Sequence, residues 1–211
     1  VQIIREQMDL PFDALFEQVR LKEPPQALVH AFNTGTAPEI SREAFAVVLD
    51  RSADKVCEVV VSLSSDTMTS CDVIPGARIA FLDEESAEFR RIICEHPDFL
   101  AALERRGISD PEQVHIEGFA VANLAEPDEK HLRHTRAHCF FREDPQDNAH
   151  VRPIEGLVPV VDLNNREVLR IEDNGVVPLP PDSGDYRSDR LHKRQPLAPL
   201  AIPQPLSLLP H

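Results

Sequence analysis

The sequence predicts an α+β protein of two tandem units, each with a helix or helices packed on an antiparallel sheet. Three observations carry this. A strand–turn–strand pattern occurs twice: Ala46 to Asp50 is followed, six residues after Asp50, by Val56-Cys57-Glu58-Val59, and Val158 to Asp162 is followed, six residues after Asp162, by Val168-Leu169-Arg170-Ile171. Such self-similarity suggests one fold used twice. Phe89, Ile92 and Ile93 fall at i, i+3 and i+4 and give a helix one apolar stripe. The length, 211 residues, suits two domains of ~100 residues. The expected division is 1–80, 81–180 and a proline-rich tail over 181–211, with the two units meeting between about residues 76 and 84.

Taken in order, Ile4 and Met8 lie four apart in a short helix that Pro11 terminates. Strands are expected at Phe16–Leu21, Ala27–Phe32, Ala44–Leu49 and Val56–Leu63. Turn chemistry at Pro24-Pro25, Asn33-Thr34-Gly35 and Ser52-Ala53-Asp54 separates them. A helix should start after Asp83 as N-cap, with Glu84 and Glu85 suited to the positive end of its dipole. His96-Pro97 interrupts it, and a second helix from Asp98 to Arg106 buries Phe99, Ala102 and Leu103 before Gly107. Val114–Phe119 returns to strand, and the polar stretch 125–135 reads as a loop. Cys139-Phe140-Phe141 is a short strand, followed by the hairpin of Leu157–Val161 and Glu167–Glu172 around Asn164-Asn165-Arg166. Phe89, Ile93, Phe99, Leu103, Val160 and Ile171 are expected to share one core. From Pro178 onward, prolines favour an extended linker.

The net charge is −14, from 36 acidic and 22 basic residues, which argues against nucleic acid or an anionic membrane as a partner. No apolar run approaches the ~20 residues of a membrane span, and the first residues lack the pattern of a signal peptide. Cys57, Cys71, Cys94 and Cys139 contain no Cys-x-x-Cys pair. Three read as small core residues and Cys71 as more exposed, so a reduced, cytoplasmic protein is expected.

The stretch Cys139–Pro181, through Phe-Arg, Asp-Asn, Arg152-Pro153-Ile154-Glu155-Gly156 and the Val-Val-Asp hairpin, resembles the third N-terminal domain of the copper-containing primary amine oxidases. Pro97-Asp98-Phe99, Ala102-Leu103 and Arg106-Gly107-Ile108 resemble the helix that opens that domain. Leu21 to Pro25, Arg42 to Phe45 and Val59 to Leu63 resemble the second N-terminal domain. The resemblance covers roughly residues 18–203. It implies two cystatin-like domains, with the catalytic β-sandwich, its copper and its topaquinone lying elsewhere. The family's Gln-Pro-Glu-Gly link to that sandwich is not matched, since Gln204-Pro205 is followed by Leu206-Ser207.

The chemistry implied for the family needs a tyrosine in an Asn-Tyr-Asp or Asn-Tyr-Glu setting and three copper histidines. Tyr186, the single tyrosine, stands in Gly184-Asp185-Tyr186-Arg187, and no His-x-His pair occurs. No catalytic or cofactor-binding residue is therefore assigned, and no cofactor is expected on this chain. The local metal candidate is His131, His134 and His138, which a helix would bring to one face. Solvated loop histidines, flanked by Arg133 and Arg136, are the alternative. Asp144, Asp147, His150, Arg152 and Glu155 form a polar cluster that reads as Asp and Asn turn caps with Arg152 and Glu155 in structural ion pairs, or as acid–base groups if a pocket gathers them. The expected function is a non-catalytic, accessory one beside an amine oxidase catalytic domain or chain. The alternative is a stand-alone binding or scaffold protein of the same duplicated fold. A homo-oligomer is a further expected partner state.

Overall fold

The computed structural model describes residues 1–36, 40–120, 127, 129 and 131–181. Tyr186 and the proline-rich tail from 182, as well as residues 125, 126, 128 and 130 of the polar stretch 125–135, lie outside that description. Two four-stranded antiparallel sheets follow one another along the chain. The first contains β1 (Leu15–Lys22), β2 (Glu43–Asp50), β3 (Lys55–Ser62) and β4 (Thr67–Val73), paired in chain order. Helix α1 (Gln2–Met8) precedes it, and α2 (Gln26–Asn33) connects β1 to β2. The second contains β5 (Val114–Ala120), β6 (His134–Phe141), β7 (Leu157–Asp162) and β8 (Glu167–Asp173), also in chain order, after helices α3 (Ser86–Cys94) and α4 (Pro97–Glu104).

Residues 27–32, expected as a strand, are helical. An apolar run this short cannot by itself distinguish strand from helix, and Pro25 sits at the N-cap, where its missing N–H costs nothing. The α2 helix buries none of its residues.

Three hairpin turns share one design. Each is a four-residue loop whose last residue has positive φ: Asp54 (48°), Asp66 (53°) and Arg166 (59°). In each, the polar residue ending the first strand accepts from the loop: Asp50 Oδ1 from Ala53 N (3.2 Å), Ser62 Oγ from Ser65 N (3.3 Å), Asp162 Oδ1 from Asn165 N (3.1 Å). The repeated hairpin in the sequence thus has one turn geometry, but the two copies differ in sheet position. Asp50 joins the second and third strands of its sheet, whereas Asp162 joins the third and fourth. Its positional counterpart is Ser62.

The first sheet buries both faces of its central strands β2 and β3. Ala46, Val48, Cys57, Val59 and Val61 pack with Ile4 of α1. The alternate residues Val47, Leu49 and Val56 pack with Leu15 and with Ile79, assisted by Ala77 and Leu82. The connector after β4 therefore belongs to the first unit's core. In the second unit a single cluster gathers Phe89, Ile93, Phe99, Ala102 and Leu103 of the helices against Val114, Ala137, Cys139, Leu157 and Val161, with Ile171 at its margin. Val160 is fully buried but does not belong to that cluster. It alternates with Val161 on β7, and its register partners on either side are Arg136 and Arg170. The expectation of Val160 in the helix-facing core is corrected by that alternation.

A buried ion cluster joins the units. The Glu85 carboxylate receives Arg133 Nη1 (2.9 Å) and Nη2 (2.6 Å), the Leu82 amide (3.0 Å) and the Arg51 guanidinium. Arg51 comes from the β2–β3 turn and Arg133 immediately precedes β6. Arg133 also donates to the carbonyls of Ile79 (3.1 Å) and Ala80 (2.6 Å). Burial raises the Glu85 pKa, but the hydrogen bonds and charge of Arg133, with Leu82 and Arg51, outweigh it and hold the carboxyl below its ordinary value. Nearby, Arg166 reaches Asp13 (2.7 Å) and Asn164 reaches Asp54 (2.8 Å), so both hairpin loops also touch the opposite unit.

Candidate functional site

The outer face of the second sheet, opposite its helices, carries the densest side-chain chemistry among the described residues. His115 and Glu117 alternate with core-facing Val114 and Ile116, so both project from that outer face of β5. His150 arrives from the loop between β6 and β7, and Pro159 determines how. A proline has no amide to donate to a ladder, and β6 pairs with β7 only over His134–Arg136 and Val160–Asp162. Beyond that point the incoming loop takes over: Ile154 N donates to Cys139 O (2.8 Å) and Phe141 N to Arg152 O (2.8 Å). The chain then enters β7 through Gly156, whose φ of 75° and 3.1 Å clearance to the Gly175 carbonyl exclude a side chain. This places the 142–151 loop beside β5.

The resulting trio is tight. His115 Nε2 and His150 Nε2 lie 3.0 and 2.7 Å from the same Glu117 Oε1. All three ligand-type atoms fall within 4.8 Å of one another. Phe140 packs beside both imidazoles, at ring-centroid distances of 6.3 Å from His115 and 5.1 Å from His150, and the two imidazoles are 5.8 Å apart. The hydrogen bond with His115, opposed by partial burial and reinforced by His150, holds the Glu117 carboxyl below its ordinary pKa. Two nitrogens and one oxygen converging at the surface form a donor set for a borderline divalent ion.

The histidines expected to act together do not meet. His134 and His138 lie on strand β6, not on a helix, so their spacing of four puts them roughly 13 Å apart along the strand. His134 is buried against Glu129, with Nε2 3.6 Å from its carboxylate. His138 stacks on Phe119 with ring centroids 4.4 Å apart. His131 precedes the strand and its carbonyl accepts from Arg78. The β-branched and aromatic neighbours Thr135, Phe140 and Phe141 favour the extended chain that defeats the helical reading.

Of the 144–155 cluster, only His150 joins the trio. Asp144 and Asp147 organise the loop itself: Asp147 Oδ2 accepts from Asp144 N (3.2 Å) and Asp144 Oδ1 from Gln146 N (2.8 Å). Arg152 does not pair with Glu155. Its guanidinium lies over the Phe141 ring (4.7 Å) and reaches Glu143 (3.5 Å). The thiols offer no nucleophile in this unit, since burial drives Cys139 far up and Cys94 upward. His115 and Glu117 went unread in the sequence. Their signal was the His-x-Glu alternation in a strand, which gains meaning only with a third ligand 33 residues away.

Comparison with known proteins fixes the family. The profile "Copper amine oxidase, N2 domain" matches residues 2–74, and "Copper amine oxidase, N3 domain" matches residues 84–189. The chain is 33% identical over 192 residues to a primary amine oxidase of Arthrobacter sp. (strain P1), covering 90% of this chain and 29% of the relative. It is 30% identical over 192 residues to histamine oxidase of Arthrobacter globiformis, covering 90% and 28%. A crystal structure of a copper-containing benzylamine oxidase from Hansenula polymorpha shares the fold, with a TM-score of 0.69 at 18% identity over 94% of this chain and 34% of that one. The chain thus spans less than a third of the length of the curated relatives it matches. On these matches the chain belongs to the copper amine oxidase family, and its two α+β units are that family's N2 and N3 domains.

Proposed function

We propose that this chain serves an amine oxidase as a non-catalytic, accessory region that packs on a separate catalytic part and shapes substrate access to it. The observation carrying the reading is the match of two consecutive, non-catalytic family domains to 2–74 and 84–189. The residues present do not fit the copper–quinone centre implied for the family. The described trio offers two histidines and a glutamate in place of three histidines, and Tyr186, the single tyrosine, lacks the expected flanking residues. Exposed apolar side chains support a docking role: Val19 and Leu21 on edge strand β1, and Phe32 on α2. The four free thiols support a reducing, cytoplasmic setting.

The test is direct. Incubated aerobically with copper and a primary amine, the chain alone should release no peroxide catalytically and develop no quinone absorbance. Adding a catalytic β-sandwich chain of a relative should yield activity, with this protein altering substrate choice more than turnover. Catalytic peroxide release by this chain alone, abolished by Tyr186→Phe, would overturn the proposal.

A further inference from the structure

From the geometry of His115, Glu117 and His150 we infer a structural metal site: the trio binds one zinc-class divalent ion that clasps the 142–151 loop onto β5. The first argument is charge. Four carboxylates tied into this unit and its joint are answered by arginine: Glu85 by Arg133, Glu129 by Arg170, Glu172 by Arg136, and Asp173 by Arg105 and Arg106. Glu117, among the described residues, pairs only with imidazoles. An imidazole can be a neutral ligand where a guanidinium is always a cation.

The second argument is distance. Zinc bonds of ~2.0–2.2 Å to nitrogen and oxygen place tetrahedral ligands ~3.2–3.6 Å apart. The nitrogens already stand 3.0 and 2.7 Å from the shared oxygen. Opening each nitrogen–oxygen pair by under ~1 Å therefore admits the ion in place of the two hydrogen bonds, and the two nitrogens themselves lie within 4.8 Å of one another. Phe140 walls both rings, and His150 N donates to Asn148 Oδ1 (2.8 Å), which fixes the loop approach. The third argument is access. Glu117 and His115 are about one-third exposed and His150 more than half, which leaves room for water to complete the coordination.

The experiment titrates zinc, and separately cobalt(II), into the full chain with Cys71→Ser as background, because Cys71 is an exposed thiol able to compete. One equivalent should bind, with a visible cobalt band and slowed hydrogen exchange across 144–152. His115→Ala and His150→Ala should each weaken binding on the order of 100-fold or more, and Glu117→Gln on the order of 10-fold. His131→Ala should leave affinity within about threefold. Metal-free melting curves of the trio variants, matched to the background protein, separate lost ligation from lost folding. The inference is overturned if no stoichiometric ion binds, or if affinity survives in both His115→Ala and His150→Ala.

Discussion

The two units build the same sheet order and bury it differently. The first sheet is covered on both faces, by α1 on one side and by Ile79 and its neighbours on the other, through two small clusters without a fully buried aromatic. The second concentrates its apolar mass on one face, where Phe89 and Phe99 lie among thirteen clustered buried residues, and sets its charged and imidazole groups on the other, beside Phe119, Phe140 and the buried Val160. One thick core frees a sheet face for chemistry. Two thin cores leave no such face and make the unit depend on a connector, residues 77–82, that lies beyond the matched N2 stretch.

The contrast can be broken most severely at Phe99. Phe99→Ala should cost ~3–5 kcal/mol, read by urea denaturation, because the ring is fully buried at the centre of the single thick core. A loss under about 1 kcal/mol would show that the core is redundant.

Next comes the joint. Glu85→Gln should cost about 3 kcal/mol at neutral pH, since it leaves Arg133 and Arg51 buried without a carboxylate. The variant also tests the pH dependence. The Glu85 and Asp173 carboxyls are both held low in the folded protein, Glu85 by Arg133 against its own burial, and Asp173 by Arg106 and Arg105. The unfolded chain therefore binds more protons in acid. Stability is fully present above the ordinary carboxylate range of ~4 and falls as pH drops through the depressed values. Denaturation midpoints between pH 7 and 3 should decline less steeply in Glu85→Gln than in the parent protein. Parallel declines would remove Glu85 from the account.

Ile79→Ala sharpens the comparison itself. It should destabilise the chain by ~2–3 kcal/mol, with faster hydrogen exchange at β2 amides of the first unit. Unchanged exchange there would mean that the connector merely lies against the sheet. The smallest effects belong to the turns. Asp162 is fully buried and accepts from Asn164 N, Asn165 N and Asn165 Nδ2, whereas the more exposed Asp50 accepts from Ser52 Oγ and Ala53 N. Asp162→Ala should cost ~2 kcal/mol and Asp50→Ala ~1 kcal/mol, and thermal melts showing the reverse order would overturn the comparison.

Much of the fold is legible where neighbours in sequence are neighbours in space. The α3–α4 stripe and the hairpins at Asp50 and Asp162 each depend on residues a few positions apart, and their periodicity shows it. The misread elements are those whose local signal is balanced. Ala27–Phe32 is too short for its apolar run to choose between periods, and His131–His138 carries ligand-like spacing for a helix that the surrounding sheet does not permit. The site is illegible for a different reason. Glu117 meets His150, and Glu85 meets Arg133, across 33 and 48 residues. Glu85 in sequence looks like an ordinary acid at a helix start, and only the folded chain supplies the arginine that gives it its role.

That shared carboxylate has a consequence for how the protein comes apart. If the first unit melted alone, Arg51 would leave, and the connector carbonyls of Ile79 and Ala80 that receive Arg133 would be stripped from a chain still folded on the other side. The surviving half would keep a cation whose solvation had been designed around its neighbour. Partial unfolding is thereby penalised from both directions, and the expected outcome in calorimetry is a single transition for the N2 and N3 domains together, although each has its own sheet and its own core.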